Sequence, residues 1–209
     1  NSKVDLSLQS ANKIKLVSEN SKFNLLCLPS DNFPLSDEDI SQKGFEISPK
    51  KMLKLLNKTR ISISNDETRH YLNGIYLHKA KMENKSFLCC VATDSHRLSS
   101  SSLEIDSNID IEPIILPKKT IFQLCSLLDS YDGDVKVSNI KSKIKFELND
   151  SVLISKLIDG KFPNYVQVIP KNNQKKLEVD LKIFLDSVDR VASVSLDKKD
   201  GVKFNLVKD

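Results

Sequence analysis

The chain has 209 residues, 39% of them hydrophobic and 29% charged, with a mean hydropathy of −0.30, which excludes a disordered tail and supplies enough apolar material for a substantial core. The formal charge of +4, from 32 basic and 28 acidic residues, is too small to demand nucleic acid by itself. The densest apolar run, Phe87 to Ala92, covers six positions against the ~18 of a membrane span, so no membrane partner is expected.

Taken in chain order, Asn1-Ser2-Lys3-Val4-Asp5 shows no initiator Met, apolar segment or cleavage site, and reads as a chain entered mid-strand without a signal peptide. Then come a strand at 45–47, a helix over 49–59, strands near 74–79 and 86–92, a helix over 118–129, and strands near 134–138, 143–148 and 152–157. Gly133, between Asp132 and Asp134, marks a turn. The class is α+β with antiparallel sheet, and the continuous apolar run from Phe87 to Ala92 suggests a central strand. Cys27, Cys89, Cys90 and Cys125 lack CxxC spacing. They read as free thiols in a reducing cytoplasm, without structural zinc.

The chain repeats itself. Phe45 to Lys58 aligns without a gap on Leu177 to Arg190, at an offset of 132. Each copy reads as an apolar-acidic-apolar strand, an N-cap at Ser48 or Asp180, and an amphipathic helix, with Pro49 at a first helical position. Each continues into a Ser-rich alternating stretch, 61–64 or 193–196, and a further strand at Gly74–Leu77 or Gly201–Phe204. A second set of matches pairs Val4–Leu8, Lys13–Leu16 and Phe33-Pro34 with Val135–Val137, Lys143–Phe146 and Phe162-Pro163, at offsets of 131, 130 and 129. The expected organisation is the end of one module over 1–43, a complete module over 44–175 and the start of a third over 176–209.

At 100° per residue, the helix over 49–59 gathers Lys50, Lys51, Lys54 and Lys58 on one side and Met52, Leu53, Leu55 and Leu56 on the other. Lys118 and Lys119 open the second helix, and Lys182 and Arg190 lie on the third. A single lysine face is ordinarily a solvated one. Recurring at equivalent places in stacked modules, such faces would merge into a sequence-independent phosphate surface.

Chemistry is conspicuously missing. Asp94-Ser95-His96 has the residue types of a hydrolase triad, but consecutive residues cannot converge as a triad must. There is no GxSxG, GxxxxGK[ST], GxGxxG or HExxH. His70, His78 and His96 lie apart without a carboxylate framework, so neither a metal nor a cofactor is expected.

Four motifs, Thr68-Arg-His-Tyr-Leu-Asn-Gly74, Ala92-Thr-Asp-Ser-His-Arg-Leu98, Ile115-Leu-Pro-Lys-Lys119 and Lys156-Leu-Ile-Asp-Gly-Lys-Phe-Pro-Asn-Tyr165, resemble in content and order the bacterial sliding-clamp family of DNA polymerase III. The resemblance implies repeated DNA-clamp modules with antiparallel sheets outside and basic amphipathic helices inside, closing as a homodimer ring around duplex DNA. It implies a non-enzymatic processivity factor that docks the replicative polymerase, clamp loader and repair proteins through a short, partly apolar peptide. Matched position by position, the peptide groove falls on Leu72, Thr93, His96, Arg97, Leu98, Pro163 and Val168, where four apolar side chains can form a pocket and three polar ones can orient the peptide. DNA-facing candidates are Lys50, Lys54, Lys58, His70, Tyr71, Lys118, Lys119, Lys182 and Arg190. Asp66 also matches an inner-rim position, but a carboxylate repels phosphate. Ser95 stands where the family typically has Gly, which would strain a loop needing positive φ, and Gln167 stands where some relatives have Arg. The segment that completes the groove in the family lies outside this sequence. The competing readings are an open, non-encircling DNA-binding adaptor using the basic helices, and a hydrolase centred on Ser95 and His96.

Overall fold

The computed structural model describes residues 3–33, 44–140, 142–195 and 201–206. By internal contact they divide into one unit ending at Phe162 and a second beginning at Pro163.

The first unit opens with a three-stranded antiparallel meander, β1 (Asp5–Ser10), β2 (Lys13–Ser18) and β3 (Ser21–Leu26). Two four-stranded antiparallel sheets follow, both fed by the same helical layer. One runs β11-β10-β9-β4, from β4 (Gly44–Ile47), β9 (Val135–Ile140), β10 (Lys143–Leu148) and β11 (Ser151–Lys156). The other runs β7-β6-β5-β8, from β5 (Gly74–Met82), β6 (Lys85–Thr93), β7 (Leu98–Ile105) and β8 (Ile114–Pro117). Helices α1 (Pro49–Thr59) and α2 (Lys118–Leu128) pack against each other and against these sheets.

Helix α1 forms as its periodicity predicts. Pro49 takes the first turn, Met52, Leu55 and Leu56 are buried, and Lys50, Lys51, Lys54 and Lys58 are exposed. Ser48 does not cap through its side chain, contrary to expectation; its carbonyl instead accepts the first helical bond, from Met52 N at 3.1 Å. Pro49 lacks an N–H and presets φ, so this end has one donor fewer to satisfy. The buried helix residues join Ile75, Leu77, Leu88, Leu116, Ile121, Leu124, Ile144 and Phe146 in one core. Each fully buried Leu, Ile or Phe contributes about 1.5–3 kcal/mol by removal from water.

Strand β6 is central, between β5 and β7, and its unbroken apolar run has a reason. Leu88, Cys90 and Ala92 join the helix-facing core, while the alternate residues Cys89 and Val91 are buried on the opposite face. There the Tyr76 ring lies parallel to Phe162, centroids 4.8 Å apart, and stacks on His78 at 4.6 Å. The chain before Phe162 is pinned to this face by Ile158 N bonding to the Ile115 carbonyl at 3.0 Å. Both sides of β6 are therefore covered, as strict alternation would not allow.

Two strands, β7 and β8, escape the periodicity. β7 reads Leu-Ser-Ser-Ser-Ser-Leu-Glu-Ile, with no apolar alternation in its first half, and is extended because β6 pairs with it along its whole length. The alternating stretch 61–64 is not a strand: a 3-10 turn over Arg60–Ser62 interrupts it. In the second unit, α3 (Leu181–Ala192) forms as predicted, capped by Asp180, which accepts from Ile183 N at 2.9 Å. The triplet 177–179 and residues 201–204 are not strands, and 193–194 form a turn; ladder pairing, which would make them extended, involves none of these residues among those described. Phe184 and Phe204 stack at 5.3 Å within this unit. Residues Pro34 and Leu196, at the ends of two sequence matches, lie outside the described residues. Among the described residues no helix is long and apolar enough to cross a membrane.

Candidate functional site

The site is built on two loops that the sheet β7-β6-β5-β8 brings side by side. The first joins β6 to β7. Thr93 and Leu98 face each other as the last ladder pair, and the four residues between them turn the chain. Asp94 organises that turn: its Oδ1 accepts from the backbone N–H of His96 and of Arg97, each at 3.0 Å, and its Oδ2 accepts from Arg97 Nε at 3.1 Å. Burial would push the Asp94 carboxyl up, but the Arg97 and His96 donors outweigh it and hold the group below its usual range. Thr93 closes the turn, its hydroxyl donating to the Arg97 carbonyl at 2.8 Å and accepting from Ser95 N at 3.1 Å. Ser95 sits at φ 79°, the left-handed conformation that glycine adopts freely and serine does not.

The second loop precedes β5. Asp66 caps a 3-10 segment over Glu67–Leu72, accepting from Thr68 N at 2.9 Å and Thr68 Oγ1 at 2.6 Å. Arg69 Nε adds a third donor at 2.9 Å. These bonds, the Thr68 hydroxyl first, draw the Asp66 carboxyl down to about 2. Asp66 is thus committed to its own loop.

Hydrogen bonds join the loops. Arg69 Nη1 donates to Ser95 Oγ, and nearby the hydroxyls of Ser62, in the turn after α1, and Ser99, in β7, meet at 2.6 Å. On the other side Lys118 is tied in twice, by its N–H to the Asn73 carbonyl at 3.0 Å and by Nζ to Asn65 Oδ1 at 2.5 Å.

Of the expected groove residues, Leu72, Thr93, His96, Arg97 and Leu98 belong to this assembly. Leu72 is buried, Thr93 and Leu98 are half-buried, and His96 and Arg97 are exposed. Pro163 and Val168 belong to the second unit and are exposed there. The DNA candidates also divide. Lys50, Lys54 and Lys58 extend along the open side of α1, and Lys119 is exposed on α2. Lys118 is half-buried near the exposed Phe122 ring, which also has the Arg60 guanidinium 5.2 Å from its centroid. His70 turns its Nε2 to the Asp159 carbonyl at 3.1 Å, and Tyr71 packs edge-on against it. Lys182 and Arg190 are exposed on α3 of the second unit. A cavity of about 740 Å³ opens elsewhere, beside Tyr76, Ile115, Leu157 and Phe162, and none of the groove candidates lines it.

Triad chemistry is incompatible with this geometry. Asp94 accepts from the His96 backbone, and the Ser95 hydroxyl receives the Arg69 cation. Among the described residues, no group of three or more His, Cys, Asp or Glu could hold a metal.

Comparison with known proteins identifies the architecture. The family described as DNA polymerase III beta subunit, central domain, matches residues 46–164. The chain belongs to the DNA polymerase III beta-subunit family. The beta sliding clamp of Caulobacter vibrioides is 38% identical over 184 residues, covering 88% of this chain and 50% of the relative. That of Rickettsia bellii is 36% identical over 197 residues, covering 92% and 51%. A sliding clamp from Bartonella birtlesii, solved bound to griselimycin, is 40% identical at a TM-score of 0.88, covering 94% of this chain and 53% of that one. The Caulobacter crescentus clamp, with polyethylene glycol at a possible tethering region, is 36% identical at a TM-score of 0.89. The chain thus spans about half the length of the family members it matches.

Arg69 is the residue that sequence reading overlooked. It stands inside a recognised motif, but its partner Ser95 is 26 residues away, and no local pattern signals that bond. Asp94 had a local signal, because an Asp at the start of a turn commonly accepts from backbone N–H groups two or three residues on.

Proposed function

We propose that this chain is part of a sliding clamp: a non-enzymatic processivity factor that encircles duplex DNA and docks polymerase, clamp loader and repair proteins through a peptide groove. In this reading residues 1–43 are the second half of a first clamp domain, 44–175 a complete central domain and 176–209 the start of a third. The ring is a homodimer working in the cytoplasm. The carrying observation is the family match across the central module, together with the paired loops that hold Leu72, Thr93, His96, Arg97 and Leu98 at one end of a sheet. Pro163 and Val168 complete the groove in this reading, and the Bartonella relative's complex with griselimycin supports a ligand site in the family. In this reading the exposed lysines of α1, Lys118 and Lys119 of α2, His70 and Tyr71 are the DNA-facing residues of the first unit, and Lys182 and Arg190 those of the second; phosphate contacts need no sequence readout.

The deciding experiment compares retention of the full-length gene product on nicked circular DNA and on the same DNA linearised, after loading by a clamp loader. A ring stays on the circle and slides off free ends. Equal retention on both would establish the open adaptor instead.

A further inference from the structure

We propose that Ser95 is a positioning residue: its hydroxyl sets the Arg69 guanidinium at the rim of the groove, so that Arg69 meets a bound peptide as a pre-oriented cation. The proposal rests on the groove reading above.

Position 95 is where backbone and side chain make opposite demands. The backbone is left-handed at φ 79°, a conformation that favours glycine. The hydroxyl, however, accepts from Arg69 Nη1, a bond that glycine could not make. On its other edge the same guanidinium gives Nε to Asp66 Oδ2, and Asp66 is itself anchored by both donors of Thr68. A planar fork gripped at two corners cannot swivel. Its side chain is still 38% exposed, which leaves guanidinium donors accessible to a peptide carbonyl or carboxylate. Arginine otherwise loses several rotors on binding, so holding it beforehand favours association.

The test is calorimetric titration of griselimycin into the full-length gene product and its Ser95→Gly and Ser95→Asn variants, with thermal midpoints measured alongside. Ser95→Gly is expected to weaken binding about 3- to 10-fold, while the midpoint holds or rises because the backbone strain is gone. Ser95→Asn tolerates the left-handed backbone and carries an oxygen for Arg69, so it recovers most of the affinity. Parental affinity in Ser95→Gly, or affinity and midpoint falling together, overturns the positioning role while leaving the groove in place. Failure of the folded parent to bind griselimycin overturns the groove reading, and the role of Ser95 with it.

Discussion

Asp94 grips Arg97 twice, at the backbone N–H through Oδ1 and at the guanidinium through Oδ2, at 3.0 and 3.1 Å. The first bond builds the turn, whereas the second only aims a side chain that is 63% exposed. Arg97→Ala should therefore change stability by no more than about 0.5 kcal/mol, while weakening griselimycin or a partner peptide in the full-length gene product. Unchanged affinity in a folded Arg97→Ala protein removes this residue from the site. Asp94→Ala loses the backbone bonds as well and should destabilise by roughly 1 kcal/mol, read by denaturant unfolding.

Asp66 offers a pH reading. Its carboxyl is lowered to about 2, chiefly by the Thr68 hydroxyl and then by Thr68 N and Arg69. For a depressed acid, the stabilising contribution is present above the unfolded value, near 3.8, and is lost as pH falls through the folded one. NMR titration of the Asp66 carboxyl should find its midpoint near the lower value. Thr68→Ala should raise it further than Arg69→Gln does; the reverse order would mean that the cation, not the hydroxyl, is the dominant partner.

The lysine face of α1 predicts a salt effect without a stability effect. Replacing Lys50, Lys54 and Lys58 by Ala one at a time should each alter unfolding by less than about 0.5 kcal/mol. For each replacement that removes a phosphate contact, the slope of log affinity against log salt for duplex DNA should fall by about 1. Slopes that stay at the parental value in all three variants would show that this face is merely solvated.

Gly74 begins β5 opposite Pro117, and a Cβ there would collide with the Leu116 carbonyl. Gly74→Ala should cost roughly 1–3 kcal/mol through forced backbone movement and loosen the loop before β5 that carries Leu72. A thermal midpoint equal to the parent's would show that β8 can retreat without penalty.

How much was readable from the residues varies by element. Helix α1 was legible to its last residue, because its apolar and basic positions separate at the helical period and Pro49 marks its start. Strand β6 was legible as a central strand, and the Asp180 cap as a cap. Strand β7 was not, since its four consecutive serines carry no periodic signal and their extended state comes from pairing with β6. The groove candidates Leu72, Thr93, His96, Arg97 and Leu98 were reached by motif resemblance. Their physical link through Arg69 and Ser95 was not reached, and the strain foreseen at Ser95 took on meaning only when φ 79° and its hydroxyl's partner were seen together.

Periodicity and turn chemistry are local, so the sequence by itself determined the span of α1, the basic helix faces and the antiparallel α+β class. Tertiary structure alone decided that both faces of β6 are covered, that Arg69 and Ser95 join two loops, and that Ser62 and Ser99 tie the turn after α1 to β7. The physical reason is common to these: each depends on which side chains a ladder register and a packed sheet bring within reach, and that proximity has no period along the chain.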